Sequence, residues 1–231
     1  DKMPCLHISQ KNKMKIISII DYGTGNLKSV FNAFTKVAKR NEKILITKEC
    51  RDIEKSSHIV LPGVGTFESC INGLKKISVI SAINENVFYK KKPFLGICVG
   101  MQMLAQYGSE NGSFEGLGWI EGNVDILKPR DKSLKIPHIG WNDLLIQKKN
   151  YFIEQFERKE KKDSNQLCAY FVHSYNLYIK NRKDLIMSTN YGQEVTAMVA
   201  KANIIGTQFH PEKSHSLGLN FIRTFIDWDG N

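Results

Sequence analysis

Nowhere in the 231 residues does an apolar run approach the ~18–20 positions that a bilayer-crossing helix needs, so a membrane-spanning helix is not expected. Residues 1–13 hold no apolar stretch of signal-peptide type, and a cytoplasmic rather than a secreted protein is expected. Cysteine is sparse. Cys5, Cys50, Cys70, Cys98 and Cys168 are odd in number, widely spaced and form no CxxC pair, which speaks against a disulfide framework or a zinc site. No metal and no other cofactor is expected. Arginine is scarce among the charges: of 33 basic side chains 6 are arginine and 27 lysine, against 23 acidic ones, for a net charge of +10. Nucleic-acid readers lean on arginine for bidentate base contacts and on aromatics for stacking. Lysines in scattered pairs describe a solvated surface instead, and nucleic-acid binding is not expected.

What is present is a chain with 42% hydrophobic residues, ample for a large core and incompatible with wholesale disorder. Residues 1–13 lack periodicity and read as an N-terminal extension, disordered or foreign to the native chain; residues 14–231 read as a single domain. Lys15–Ile20 is a β-rich run ending in Asp21-Tyr22-Gly23-Thr24-Gly25-Asn26. Leu27, Val30, Phe31, Phe34 and Val37 then recur at helical spacing. Lys43–Thr47, His58–Leu61 and Phe94–Ile97 read as short buried strands, with helix between Phe67 and Tyr89. Such βαβα alternation predicts an α/β fold: a mainly parallel central sheet with helices on both faces. After about residue 117, short alternating runs dominate, from Trp119–Leu127 and Trp141–Ile146 to Val195–Ala200 and Ile204–Phe209. They predict antiparallel additions in the C-terminal half, closed by a helix over Leu217–Trp228. The lysine-rich segment 157–165 reads as an exposed loop.

One cysteine stands apart. Phe94-Leu95-Gly96-Ile97-Cys98-Val99-Gly100 has the form strand, Gly-x-Cys-x-Gly, helix, which is the cysteine counterpart of a nucleophile elbow. The helix start favours a sulfur anion, and the Val99 N–H is placed to face an oxyanion. Taken alone, the motif also fits a buried cysteine in a glycine-rich turn. A partner base follows another apolar strand: in Gln208-Phe209-His210-Pro211-Glu212, His210 can move a proton and Glu212 can orient the imidazole. Leu61-Pro62-Gly63-Val64-Gly65 offers a second amide donor on a turn whose glycines leave the backbone free to reorient.

Together these residues resemble the class I, triad-type glutamine amidotransferases, over nearly the whole chain from Met14. The resemblance implies a flavodoxin-like amidotransferase fold, a catalytic triad of Cys98, His210 and Glu212, and hydrolysis of L-glutamine through a glutamyl thioester. It implies an oxyanion hole at Val64, Gly65 and Val99. It implies glutamine contacts from Gly63, Gln102, Glu110, His173, Ser174 and Tyr175. Finer motifs, Pro137-His138-Ile139-Gly140-Trp141-Asn142, Tyr170-Phe171-Val172-His173-Ser174-Tyr175 and His210-Pro211-Glu212-Lys213-Ser214, resemble the amidotransferase subunits of imidazole glycerol phosphate synthases. In those enzymes a separate (βα)₈ barrel receives ammonia through a tunnel, within histidine biosynthesis. Asn26, Trp141, Tyr170 and Lys213 match positions at or near that interface.

Two alternatives stay open on the sequence. The same glutaminase chemistry serves paralogous synthases that aminate nucleotide-sugar or glycan precursors, and no residue in this chain distinguishes them, because the acceptor site would lie on the other chain. A non-catalytic scaffold or a nucleic-acid binder is the remaining class, against which the intact Cys98, His210 and Glu212 argue.

Overall fold

The computed structural model describes residues 14–23, 26–160 and 167–231. The proposed extension over residues 1–13, Thr24 and Gly25 of the first turn, and residues 161–166 lie outside it. The chain opens with β1 (Lys15–Ile20), α1 (Leu27–Val37), β2 (Glu42–Thr47), α2 (Cys50–Lys55), β3 (His58–Gly63), α3 (Phe67–Lys76), α4 (Ile80–Asn84), β4 (Phe94–Cys98) and α5 (Val99–Gln102). It continues with β5 (Tyr107–Gly108), β6 (Phe114–Glu115), β7 (Gly122–Ile126), β8 (His138–Asp143), β9 (Leu145–Ile146) and α6 (Tyr151–Lys159). It ends with β10 (Cys168–His173), β11 (Tyr175–Ile179), β12 (Leu185–Asn190), β13 (Glu194–Lys201), β14 (Ile204–Thr207) and α7 (His215–Asp227).

Eight strands form the main sheet in the order β2-β1-β3-β4-β14-β13-β12-β9. The pairs joining β2, β1, β3, β4 and β14 are parallel, and those from β14 through β13 and β12 to β9 are antiparallel. The expected division of the chain is therefore seen, a parallel half followed by antiparallel additions. Strands β3 and β4 are buried along their full length, which is why they read as continuous apolar runs without alternation. Two small sheets flank the main one: β10 pairs antiparallel with β8, and β11, β7, β5 and β6 form the other.

Helices pack where their apolar faces dictate. In α1, Val30, Ala33 and Phe34 are buried; in α7, Phe221, Ile222 and Phe225 are buried in the same core. The Thr66 side chain caps α3 by accepting from the Ser69 N–H at 3.1 Å. The expected single helix from Phe67 to Tyr89 is broken. Ser78 takes a left-handed φ of 58°, and the chain restarts as α4 and then a π turn over Glu85–Tyr89. The five-residue step from Leu74 to Val79 marks that break. The expected strand Trp141–Ile146 is likewise two strands, β8 and β9, flanking buried Leu144. In the expected loop over 157–165, Glu157–Lys159 belong to α6, capped by the Asn150 side chain accepting from the Ile153 N–H at 2.9 Å. Strand β12 went unseen because its first five residues are all buried, Ser188 and Thr189 included, so it has no alternation to read.

Arg223 on α7 ties the helical layer to the sheet. Its guanidinium donates to both Glu42 carboxylate oxygens at 2.6 and 2.8 Å, to Asp227 at 2.6 and 3.1 Å, and to the Val37 carbonyl at 3.0 Å. The Glu42 side chain is 3% exposed, so removing the cation leaves a buried carboxylate with the Lys39 N–H, at 2.7 Å, as its remaining donor. Arg223→Met is expected to cost about 3 kcal/mol of stability in urea unfolding, whereas Lys128→Met, which removes the exposed partner of Asp125, is expected to leave the unfolding midpoint essentially unchanged.

Candidate active site

The parallel strands β3, β4 and β14 place their C-terminal ends side by side, and the site is assembled from the turns that leave them. Cys98 closes β4 and stands immediately before α5, with φ 54° and ψ −113°. A non-glycine residue there is strained, and the strain is held by packing on both sides. A Cβ on Gly100 would lie 1.8 Å from the Leu61 carbonyl oxygen, so only glycine lets α5 approach β3 this closely. Upstream, the Tyr22 hydroxyl donates to the Pro62 carbonyl at 2.5 Å and fixes β3 just before its glycine turn, where Gly65 takes φ 106°.

His210 follows β14, and its backbone N–H donates to the Tyr170 carbonyl at 2.9 Å. Its Nδ1 is 2.7 Å from Glu212 Oε1, with the two side chains 3% and 1% exposed. His210 Nε2 is buried without a conventional hydrogen-bond partner among the described residues, and it is the free ring face. Burial works against a charged ring, but the Cys98 sulfur and the Glu212 carboxylate outweigh it and push the imidazole up to about 10. A ring that holds its proton near neutrality can give one from Nε2.

A cleft of about 460 Å³ opens over these groups. It brings together twelve of the sixteen expected site residues: Asn26, Val64, Gly65, Cys98, Val99, Gln102, Glu110, His173, Ser174, Tyr175, His210 and Lys213. Cys98 is the one cysteine in its lining among the described residues. Four expected residues stand outside the lining. Gly63 lies beneath it, paired with Cys98 across β3 and β4. Glu212 sits behind the His210 ring. Trp141 and Tyr170 lie beside the cleft, on the paired strands β8 and β10. Trp141 is 46% exposed, stacks on His215 at 4.7 Å and meets Tyr170 edge-on at 6.0 Å, while the Lys213 ammonium stands 5.7 Å over the Tyr170 ring. With Ile139 at 58% exposure, this forms an apolar and aromatic rim.

Two expected residues are already engaged. Glu110 accepts the Phe67 N–H at 2.8 Å, capping the start of α3. Gln102 Nε2 donates to the Tyr175 carbonyl at 3.1 Å and to Gln208 Oε1 at 3.0 Å. Gln208 itself was not singled out from the sequence. It is fully buried, and its Nε2 donates to Cys98 Sγ at 3.6 Å. A polar amide ending an apolar strand was the available signal, since such a group needs partners inside the fold.

The model of the family described as "Glutamine amidotransferase class-I" matches residues 18–228. The chain belongs to the class I glutamine amidotransferases. It is therefore a glutamine-hydrolysing enzyme. It is 44% identical over 216 residues to the imidazole glycerol phosphate synthase subunit HisH of Brucella melitensis, covering 92% of this chain and 98% of that one. It is 41% identical over 212 residues to the same subunit of Pelagibacter ubique, covering 91% and 99%. Among solved structures, a glutamine amidotransferase superposes with a TM-score of 0.68 at 13% identity, covering 93% of this chain and 99% of that one. PurLQS from Thermotoga maritima gives 0.66 at 15%, covering 93% and 98%. The class I amidotransferase fold expected from the residues is the one these neighbours share. No helix among the described residues is long and apolar enough to cross a membrane.

Proposed function

We propose that this class I amidotransferase is the glutaminase subunit of an imidazole glycerol phosphate synthase, working through Cys98, His210 and Glu212. The observation that carries the reading is likeness to HisH subunits over nine-tenths of the chain, at 44% identity for the Brucella protein. The chemistry follows from the site. The Cys98 sulfur attacks the side-chain amide carbon of glutamine, and negative charge moves to the carbonyl oxygen. The Val99 N–H, at the first turn of α5 where backbone donors lack helical acceptors, and the Val64 N–H receive it. His210 Nε2 gives its proton to the departing nitrogen, and ammonia leaves behind a glutamyl thioester. Water, deprotonated by the same nitrogen, hydrolyses the thioester to glutamate and restores the sulfur anion. Glu212 keeps Nδ1–H directed and supports the charged ring.

The polar lining formed by Gln102, Glu110 and the His173–Tyr175 turn suits the amino-acid end of the substrate. The rim formed by Ile139, Trp141, Tyr170 and Lys213, with Asn26, is where a separate (βα)₈ synthase would seat, closing the cleft so that ammonia passes across without meeting bulk water. The test is reconstitution with the barrel subunit encoded in the same genome. Glutaminase kcat is expected to rise many-fold on saturation with that partner and with its nucleotide substrate bound. A stable mixture showing no stimulation would remove the synthase assignment while leaving the glutaminase chemistry intact.

A further inference from the structure

The reaction uses only the cleft side of the His173–Tyr175 turn. Behind the turn, His138 and His173 face each other across the β8–β10 ladder, both buried. His138 Nδ1 is 2.9 Å from His173 Nε2, and His173 Nδ1 is 2.8 Å from the Tyr175 carbonyl oxygen. Asn142 Nδ2 is 3.2 Å from His138 Nε2. Since the Tyr175 carbonyl also accepts from Gln102, and Gln102 donates to Gln208, the contacts run unbroken from Asn142 to the Cys98 sulfur.

One proton arrangement satisfies every link. A carbonyl can only accept, so His173 Nδ1 carries the hydrogen and, in a neutral ring, Nε2 accepts. His138 must then donate from Nδ1 and accept at Nε2. Asn142 enforces this independently: its Oδ1 accepts the Asp143 N–H at 2.8 Å and its Nδ2 also donates to the Asn190 carbonyl at 2.9 Å, so the amide cannot turn round. A second proton on either ring would set N–H against N–H. Burial acts in the same sense, holding His138 down to about 4 and His173, with help from neighbouring imidazoles, to about 3. The His138 ring is further fixed by stacking on Phe171 at 4.8 Å and on Tyr191 at 4.1 Å.

Gln208 has two ends with opposite needs. Its oxygen takes the Gln102 hydrogen and its nitrogen faces the sulfur; reversed, it would present an oxygen to an anion. Gln102 holds that orientation while braced on the Tyr175 carbonyl. We infer that His138 is a positioning residue for the glutaminase reaction: through His173 it sets the Tyr175 carbonyl, and thereby the Gln102–Gln208 pair that presents an N–H to the Cys98 sulfur. The inference rests on the glutaminase reading above.

Three variants of the complex with its synthase partner, each read against wild-type activity, and one set of spectra test it, so that an inactive wild type would fault the earlier reading alone. Asn142→Asp keeps shape but turns the donor facing His138 Nε2 into an acceptor, drawing a proton to Nε2. It is expected to lower glutaminase kcat about tenfold or more with a smaller change in KM. His138→Phe keeps the stacked ring without its nitrogens and is expected to do the same. His138→Asn returns an amide nitrogen near the Nδ1 position and is expected to recover most of the loss. Ring ¹⁵N spectra of the wild type should show both histidines neutral and protonated at Nδ1 from pH 5.5 to 8. If His138→Phe does not fold, Asn142→Asp and the spectra still decide. Wild-type kcat in Asn142→Asp, a loss confined to KM, no recovery in His138→Asn relative to His138→Phe, or either ring protonated at Nε2 overturns the inference.

Discussion

Replacing Cys98 with alanine is expected to lower glutamine hydrolysis in the complex by about 10⁴-fold or more, the scale seen when a covalent nucleophile is removed. Synthesis driven by added ammonium salt should continue undiminished, because under the proposed function the acceptor chemistry would sit on the other subunit. The distinction matters, since a misfolded variant would lose both activities. No other described cysteine can substitute: Cys50, Cys70 and Cys168 are absent from the cleft lining. Glutamate release, followed by a coupled dehydrogenase assay, reads the first quantity, and imidazole product formed from ammonium reads the second. A Cys98→Ala complex that still releases glutamate at the wild-type rate would show the sulfur to be a bystander.

Gly100→Ala is expected to be the most damaging substitution in the scaffold of the site. Its Cβ would meet the Leu61 carbonyl at 1.8 Å, and that obstacle is strand backbone that cannot swing aside. Relief requires α5 to lift away from β3, taking the Val99 N–H and the strained Cys98 with it. A loss of more than about 4 kcal/mol, or no soluble protein at all, is the expected outcome in urea or thermal unfolding. Gly118→Ala serves as the contrast, because nothing lies within 4 Å of its added Cβ and only the positive φ of 69° is strained. That change should cost about 1 kcal/mol. Equal losses in the two variants would mean that the close approach of α5 to β3 does not set the requirement at Gly100.

The parallel half of the fold was legible because physics writes it locally. Lys15–Ile20 is read to the residue, since its apolar run stops where a turn begins. The nucleophile turn was legible for the same reason: two glycines bracket Cys98 within five positions. Features that depend on distant partners were not. The six-residue α2 is too short for helical periodicity to show, and β12 hides serine and threonine in a buried strand. Gln208 becomes meaningful only once the fold sets Gln102 and Cys98 on either side of its amide, and the Arg223–Glu42 tie joins the last helix to the second strand. Gln102 and Glu110 were placed at the cleft by resemblance, but that each already has a backbone partner could come only from the fold.

Strand β14 enters the sheet between β4 and β13, so the chain that emerges first from the ribosome bears the Cys98 thiol, while the His210 ring arrives near the end. Until β14 is in place, the Cys98 sulfur lacks both Gln208 and His210 as neighbours. Parallel closure over so long a stretch is among the slower steps of folding. A chain that stops short of β14 therefore holds the cysteine without the assembled site.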